Sequence, residues 1–206
     1  MSQETEPGGQ MSHDAASAPD GRSQRERMLA GDLYIADDPE LAVEMLRAAQ
    51  LTRLFNSSDP ADPLARMAIL RELLGSLGEG AVIRPPFCCD YGYQIHIGRG
   101  TFINYGAVFL DVARVIIGED AQVGPNVQLL TATHPVDAAT RRAKWESAQP
   151  ITIADNVWLG GGAIILPGVS IGENTVVGAG AVVTKDLPAN VVAVGNPARV
   201  ARSLSV

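Results

Sequence analysis

An aliphatic side chain recurs at every sixth position through much of this chain. Counting from Ile153, the series is Ile153, Leu159, Ile165, Ile171, Val177 and Val183. Two shorter series precede it: Ile97, Ile103, Phe109 and Ile117, Val123, Leu129. The next position is usually small (Gly98, Gly118, Gly124, Ala154, Gly160, Gly172, Gly178). Four positions after the aliphatic comes another small or β-branched residue: Thr101, Ala107, Ala121, Val127, Val157, Ala163, Val169, Thr175, Ala181. An α-helix repeats every 3.6 residues and a strand every 2, so neither produces this spacing. A six-residue period is the mark of a β-helix, in which each hexapeptide makes one short flat face of a coil. Stacked coils superpose the aliphatics inside, and the small residues permit tight corners. Val and Ile scattered through a sandwich is the poorer match to such a count.

The period breaks twice. From Phe109 to Ile117 the step is eight, so two extra residues bulge near Asp111. From Leu129 to Ile153 it is twenty-four, leaving residues 131–150 as an extruded loop that opens Thr131-Ala132-Thr133-His134-Pro135. Long loops on compact domains tend to be functional.

The chain has 206 residues, 46% of them hydrophobic, with a net charge of −7. That length suits one domain with appendages. The acidic balance and the lack of a basic stripe argue against a nucleic-acid partner. No apolar run is long enough to span a bilayer, and no basic-then-apolar leader is present, so the expected setting is cytoplasmic. Cys88 and Cys89 are adjacent, too close for an ordinary bridge, which fits a reducing compartment.

Residues 1–22 are Ser, Gly, Ala, Pro and acid and read as a disordered tail. A helical segment over 23–78 follows. Ser23 with Glu26 forms a capping box closed by Gly31, Asp38-Pro39 opens a second helix ending near Asn56, and Asp62-Pro63 opens a third closed near Gly75. These helices would cap the open end of the coil. The β-helix domain spans 79–206, with coils from about Ala81 to Asn190 and a C-terminal tail after the Gly195-Asn196-Pro197 turn.

The segment Arg27-Met28-Leu29-Ala30-Gly31-Asp32-Leu33-Tyr34 resembles the N-terminal helical motif of bacterial sugar O-acetyltransferases. So do Phe87-Cys88-Cys89-Asp90-Tyr91-Gly92-Tyr93, Thr131-Ala132-Thr133-His134-Pro135, Asn156-Val157-Trp158-Leu159-Gly160-Gly161, Val183-Thr184-Lys185-Asp186 and Gly195-Asn196-Pro197-Ala198-Arg199. The resemblance covers roughly Arg25 to Arg202 and is greatest to the maltose acetyltransferase group, with galactoside and nodulation acetyltransferases as cousins. It implies a mainly β, left-handed parallel β-helix, a homotrimer, and active sites in the clefts between subunits. The hand comes from the resemblance alone, since parallel crossovers are otherwise right-handed in about 98% of cases.

O-acetylation needs a base to take a proton from a hydroxyl as its oxygen attacks a thioester, and histidine suits that task. His13 falls in the tail, and His96, between inward Ile95 and Ile97, points outward. His134 matches the family's catalytic histidine. The resemblance also places Asp90 and Asn104 in the acceptor pocket. Asp111, in the bulge, could face the acceptor or stabilise a turn. Tyr93 stands where the family's cousins vary, which implies a bearing on acceptor choice, and Glu146 in the loop could orient His134 or be solvated, of which the solvated reading is preferred. Acetyl-CoA is the expected co-substrate. Lys185, Arg199 and Arg202 cluster near the C-terminal coils and read as a phosphate site in so acidic a chain. Gly161, Ala179 and Thr184 match cofactor-contacting positions, and an amide near Gly161 could stabilise the oxyanion. Two places suit Trp158, on the pantetheine arm or at a subunit interface.

The expected reaction is direct transfer of acetyl to a sugar hydroxyl, with a maltose- or glucose-like acceptor. No covalent intermediate is implied, because neither cysteine lies beside His134. The same fold could serve an antibiotic, serine or amino-sugar acceptor, against which the helical motif argues. It could also be a non-catalytic scaffold, which would not need His134, Asn104 and Lys185 together. A zinc hydratase needs three histidine ligands, and the coils hold only His96 and His134, so no metal is expected.

Overall fold

The computed structural model describes residues 21–205. The expected disordered tail, with His13, lies outside the described residues apart from Gly21 and Arg22. Short strands stack into three parallel ladders that form the faces of a triangular coil. The first face holds Ser76–Leu77, Ile95–Ile97, Val115–Ile117, Ile151–Ile153 and Ser170–Ile171. The second runs from Val82–Ile83 through Phe102–Ile103, Gln122–Val123, Trp158–Leu159 and Val176–Val177 to Val191–Gly195. The third holds Phe87–Cys89, Ala107–Leu110, Gln128–Leu130, Ile164–Ile165 and Val182–Val183.

The six-residue step is the step from face to face. Ile97, Ile117, Ile153 and Ile171 are consecutive partners on the first face. Ile103, Val123, Leu159 and Val177 line up on the second, and Phe109, Leu129, Ile165 and Val183 on the third. All are buried, as are the nine small or β-branched residues four positions later. Full burial of each large aliphatic contributes about 1.5–3 kcal/mol. The corners are tight enough to require glycine: a Cβ on Gly160 would sit 2.5 Å from the Ala179 backbone nitrogen, and one on Gly98 2.4 Å from the carbonyl carbon of Gly118.

Helices α1 (Gln24–Ala30), α2 (Pro39–Asn56) and α3 (Pro63–Leu73) precede the coil, each with the N-cap expected of it, Ser23, Asp38 and Asp62. Leu51, Phe55, Leu70 and Leu73 extend the coil's core over its open end. Asn56 satisfies the otherwise unpaired edge, its Nδ2 donating to the Phe87 carbonyl and its Oδ1 accepting from the Phe87 N–H, both at 2.9 Å. At the other end, Ala198–Ser203 folds back antiparallel on Val191–Gly195.

The structure departs from expectation in two places. The ladder starts at Ser76, paired with His96, rather than near Ala81. Leu77 lies six before Ile83, with Gly78 and Ala81 in the small positions, so this coil keeps the period; Cys89 in place of the next aliphatic and a step of eight to Ile97 hide it. The extruded segment also has structure of its own. Ala132–Thr133 and Trp145–Ala148 form a hairpin around helix α4 (Ala138–Arg142), and Trp145–Ala148 pairs on its far side with Tyr34–Ile35. A second small core, built from Met28, Tyr34, Leu41, Tyr91, Val112 and Ala148, fastens this hairpin and the N-terminal segment to the coil.

Candidate active site

His134 follows the strand Ala132–Thr133 and is solvent-exposed. It lines a cleft of about 450 Å³ with Ala36, Asp37, Arg141, Lys144 and Glu146. Two strand pairings hold the hairpin that carries it. Thr133 lies opposite Ser147, so the register carries His134 towards Glu146, and Glu146 in turn lies opposite Tyr34. Residues directly opposite in an antiparallel pair project on the same side. Glu146 is half-buried and faces buried Tyr34 across the strand pair, so it is not the solvated side chain the sequence suggests. Burial first, and Glu146 next, raise the Tyr34 hydroxyl well above the ordinary phenol value. Arg141 donates from Nη1 to the carbonyls of Pro135 and Val136 at 2.8 and 2.9 Å, bracing the turn after His134. Lys144 reaches Asp37 at 2.8 Å, joining hairpin to N-terminal segment.

Asp90 lies at the corner after the third face, close enough to Glu146 to feel its charge. Burial, reinforced by Glu146, pushes its carboxyl up to about 6. Asp111 is fully buried, and of its two readings its contacts fit the one in which it stabilises a turn. Its Oδ1 accepts from the N–H groups of Asp90 (3.0 Å) and Tyr91 (2.9 Å), and its Oδ2 from that of Gln94 (3.3 Å). The two-residue bulge therefore points inward and supports the corner that carries Asp90, and burial pushes the Asp111 carboxyl up to about 7 despite these donors. Tyr93 is likewise a brace. Its hydroxyl donates to Glu44 at 2.7 Å, and Arg25 bonds the other oxygen of the same carboxylate at 2.6 Å. Its side chain ties α1 and α2 to the coil and does not line the His134 cleft.

The other candidates lie elsewhere on the prism. Asn104 leaves the second face, and Gly124, Gly160 and Gly178 hold its place in the later coils. Tyr105, Pro125, Gly161 and Ala179 follow as the next column, linked by bonds such as Gly180 N–H to Gly161 O at 2.9 Å. Asn104, Gly161 and Ala179 thus share the edge between the second and third faces, with Trp158 projecting from the second face beside it, 55% exposed. Thr184 and Lys185 lie past the third face, on the edge that carries Asp90 and the His134 hairpin. Asp186 accepts from the Ser170 N–H at 2.8 Å, and among the described residues Lys185 has no carboxylate partner. Arg199 and Arg202 stand on the closing strand of the second face, opposite Val194 and Val192. The expected cationic cluster is therefore split between two sides of one coil, because the turn at Gly195-Asn196-Pro197 returns the chain along the second face. His96 faces outward with Nδ1 3.1 Å from the Ser76 hydroxyl. Tyr34, Asp37, Arg141 and Lys144 escaped sequence reasoning. The signal for the first two was their place in and just after the helical motif.

Residues 27–78 match the maltose acetyltransferase hexapeptide capping motif, and residues 150–185 the bacterial transferase hexapeptide of six repeats. Nodulation protein L of Rhizobium meliloti is 49% identical over 179 residues, which span 87% of this chain and 98% of that protein. The chain belongs to the hexapeptide-repeat acetyltransferase family, in its maltose acetyltransferase group. The crystal structure of a maltose O-acetyltransferase from Clostridium difficile 630 superposes with a TM-score of 0.88 at 47% identity, covering 90% of this chain and 99% of that one. A galactoside acetyltransferase in complex with coenzyme A gives 0.86 at 40% identity, covering 89% and 92%. The protein is an acyltransferase. Among the described residues no group of three His, Cys, Asp or Glu side chains could hold a metal ion. No described helix is long and apolar enough to cross a membrane.

Proposed function

We propose that this acetyltransferase transfers acetyl from acetyl-CoA directly to a sugar hydroxyl, with His134 as general base. The observation that carries the reading is the placement of His134 in an open cleft beside Glu146, on a hairpin fixed from both sides. The imidazole takes the hydroxyl proton as the oxygen attacks, and returns it to the departing sulfur. Asp90, close enough to Glu146 of that cleft to feel its charge, accepts hydrogen bonds from other hydroxyls of the acceptor. A maltose- or glucose-like acceptor fits the relatives, one named for maltose and one for galactoside.

Acetyl-CoA supplies the acetyl group as a thioester. The glycine-lined edge at Gly161 and Ala179 leaves backbone open to a pantetheine arm: added Cβ atoms at Gly162 and Gly180 would meet nothing within 4 Å. Lys185, with Arg199 and Arg202, supplies charge for phosphates, and Thr184 a hydroxyl. Trp158 stands beside that edge, where it can pack on the arm. These residues fit the group chemically, but one chain carries them on two separate edges. The assembly that unites them is a homotrimer, in which the His134 edge of one copy meets the Asn104 edge of the next. The site is incomplete without the second copy. A cytoplasmic setting suits an enzyme with two free thiols.

The test is release of the coenzyme A thiol from acetyl-CoA in the presence of maltose, glucose or a galactoside. Sugar-dependent release that His134→Ala abolishes supports the reading. Release independent of any sugar, or unaffected by the substitution, refutes it.

A further inference from the structure

We infer that Arg84 recognises a carboxylate on the acceptor, so that the preferred substrate is an acidic sugar. This rests on the reading above, that the acceptor is a sugar, and on the place in the acceptor pocket that the family resemblance gives Asn104. Arg84 occupies the same place in its coil as Asn104 does in the next. Its N–H donates to the Ile103 carbonyl at 2.9 Å, as that of Asn104 donates to Val123 at 2.9 Å. Neighbouring rungs of such a ladder lie about 4.8 Å apart, so the two side chains leave the edge side by side.

The Arg84 side chain is exposed yet held. Its guanidinium carbon lies 5.1 Å from the centre of the Phe102 ring and 5.0 Å from that of Tyr105. Its Nη1 donates to the Tyr105 hydroxyl at 3.2 Å. The guanidinium thus rests against both rings while only one of its N–H groups is engaged, which leaves the others unspent. Arg25 and Arg99 are paired with carboxylates. Among the described residues Arg84 has none, in a chain of net charge −7. A planar guanidinium fixed by two rings, without a counter-ion and beside the acceptor asparagine, presents the fork that matches a carboxylate.

The experiment compares kcat/KM for glucose, glucuronate and glucose 6-phosphate in the wild type, Arg84→Gln and Arg84→Lys, with a thermal melt and light scattering on each. The wild type should prefer glucuronate to glucose by about tenfold or more, the scale of one charge-assisted contact. Arg84→Gln should remove most of that preference and leave glucose turnover within about threefold, and Arg84→Lys should recover part of it. Equal use of glucose and glucuronate by the wild type, equal loss on both sugars in Arg84→Gln, or preference for the phosphate sugar would overturn the assignment. So would a change in assembly state with acceptor preference intact, which would make Arg84 a contact between copies. Turnover of none of the three sugars, with acetyl-CoA still bound, would sink the sugar reading as well.

Discussion

Replacing Asp111 with alanine separates a support from a ligand. Its carboxylate accepts three backbone N–H groups within a fully buried site. Tyr91 and Gln94 are 2% and 7% exposed, so alanine strands two buried donors without access to water, and a third on half-buried Asp90. Each stranded buried donor costs about 1–3 kcal/mol. Relief of the desolvated carboxyl offsets part of this, leaving a net loss of about 2–4 kcal/mol. For a domain of this size that lowers the melting temperature by about 4–16 °C. The Asp90 corner should loosen with it, raising the KM for the acceptor more than that for acetyl-CoA. The pH dependence carries a sign. Burial holds the native carboxyl near 7, above its ordinary 3.8, so the folded state binds the extra proton between those values. Stability therefore falls as pH rises through about 4–7, and Asp111→Asn, which cannot titrate, should flatten that slope. Differential scanning calorimetry across this range, with acceptor kinetics on each variant, is the assay. A melting temperature within about 2 °C of wild type together with a large rise in acceptor KM would make Asp111 an acceptor ligand and refute the argument.

His134→Ala should lower turnover by about 10²–10⁴ while leaving the thermal melt and acetyl-CoA binding unchanged, because the side chain is exposed and removal opens no cavity; a loss below about tenfold would exclude it as the base. Lys185→Ala should raise the KM for acetyl-CoA by about ten- to hundredfold and barely move that for the sugar, and the reverse pattern would place the phosphates elsewhere. Tyr93→Phe removes only a hydrogen bond to Glu44, so it should cost about 1 kcal/mol of stability. Steady-state kinetics on it should show turnover and acceptor choice unaltered, and a change in acceptor ranking would return Tyr93 to the pocket.

Most of the coil was legible because stacking forces one residue type into one place on every face. Ile153 must sit over Ile117 and under Ile171, so the period survives in the bare sequence. The first coil was missed although Leu77 and Ile83 keep the period, because Cys89 stands where the next aliphatic would and the step from it to Ile97 is eight. The extruded segment read as a loop because its strands find partners far away in sequence. Tyr34 and Glu146 meet across more than a hundred positions, with no periodicity to announce the pairing. For the same reason Asp111 could be located in a bulge but not aimed: the step of eight says that two residues are extra, not that Asp111 turns inward to bind the corner at Asp90. Sequence nearness also misled at the C-terminus. Lys185 and Arg199 are close along the chain, yet a triangular coil sends successive segments to different faces.

The central claim is that two copies build each site, the His134 edge of one facing the Asn104 edge of the other. The direct measurement mixes His134→Ala and Asn104→Ala chains, each inactive alone, refolded or co-expressed in equal amounts. Random trimers should recover about a quarter of wild-type activity, because a site is whole only when its His134 and its Asn104 come from the complementary variants. No recovery, with mixed trimers present by mass, would place His134 and Asn104 in the same chain's site and contradict the account.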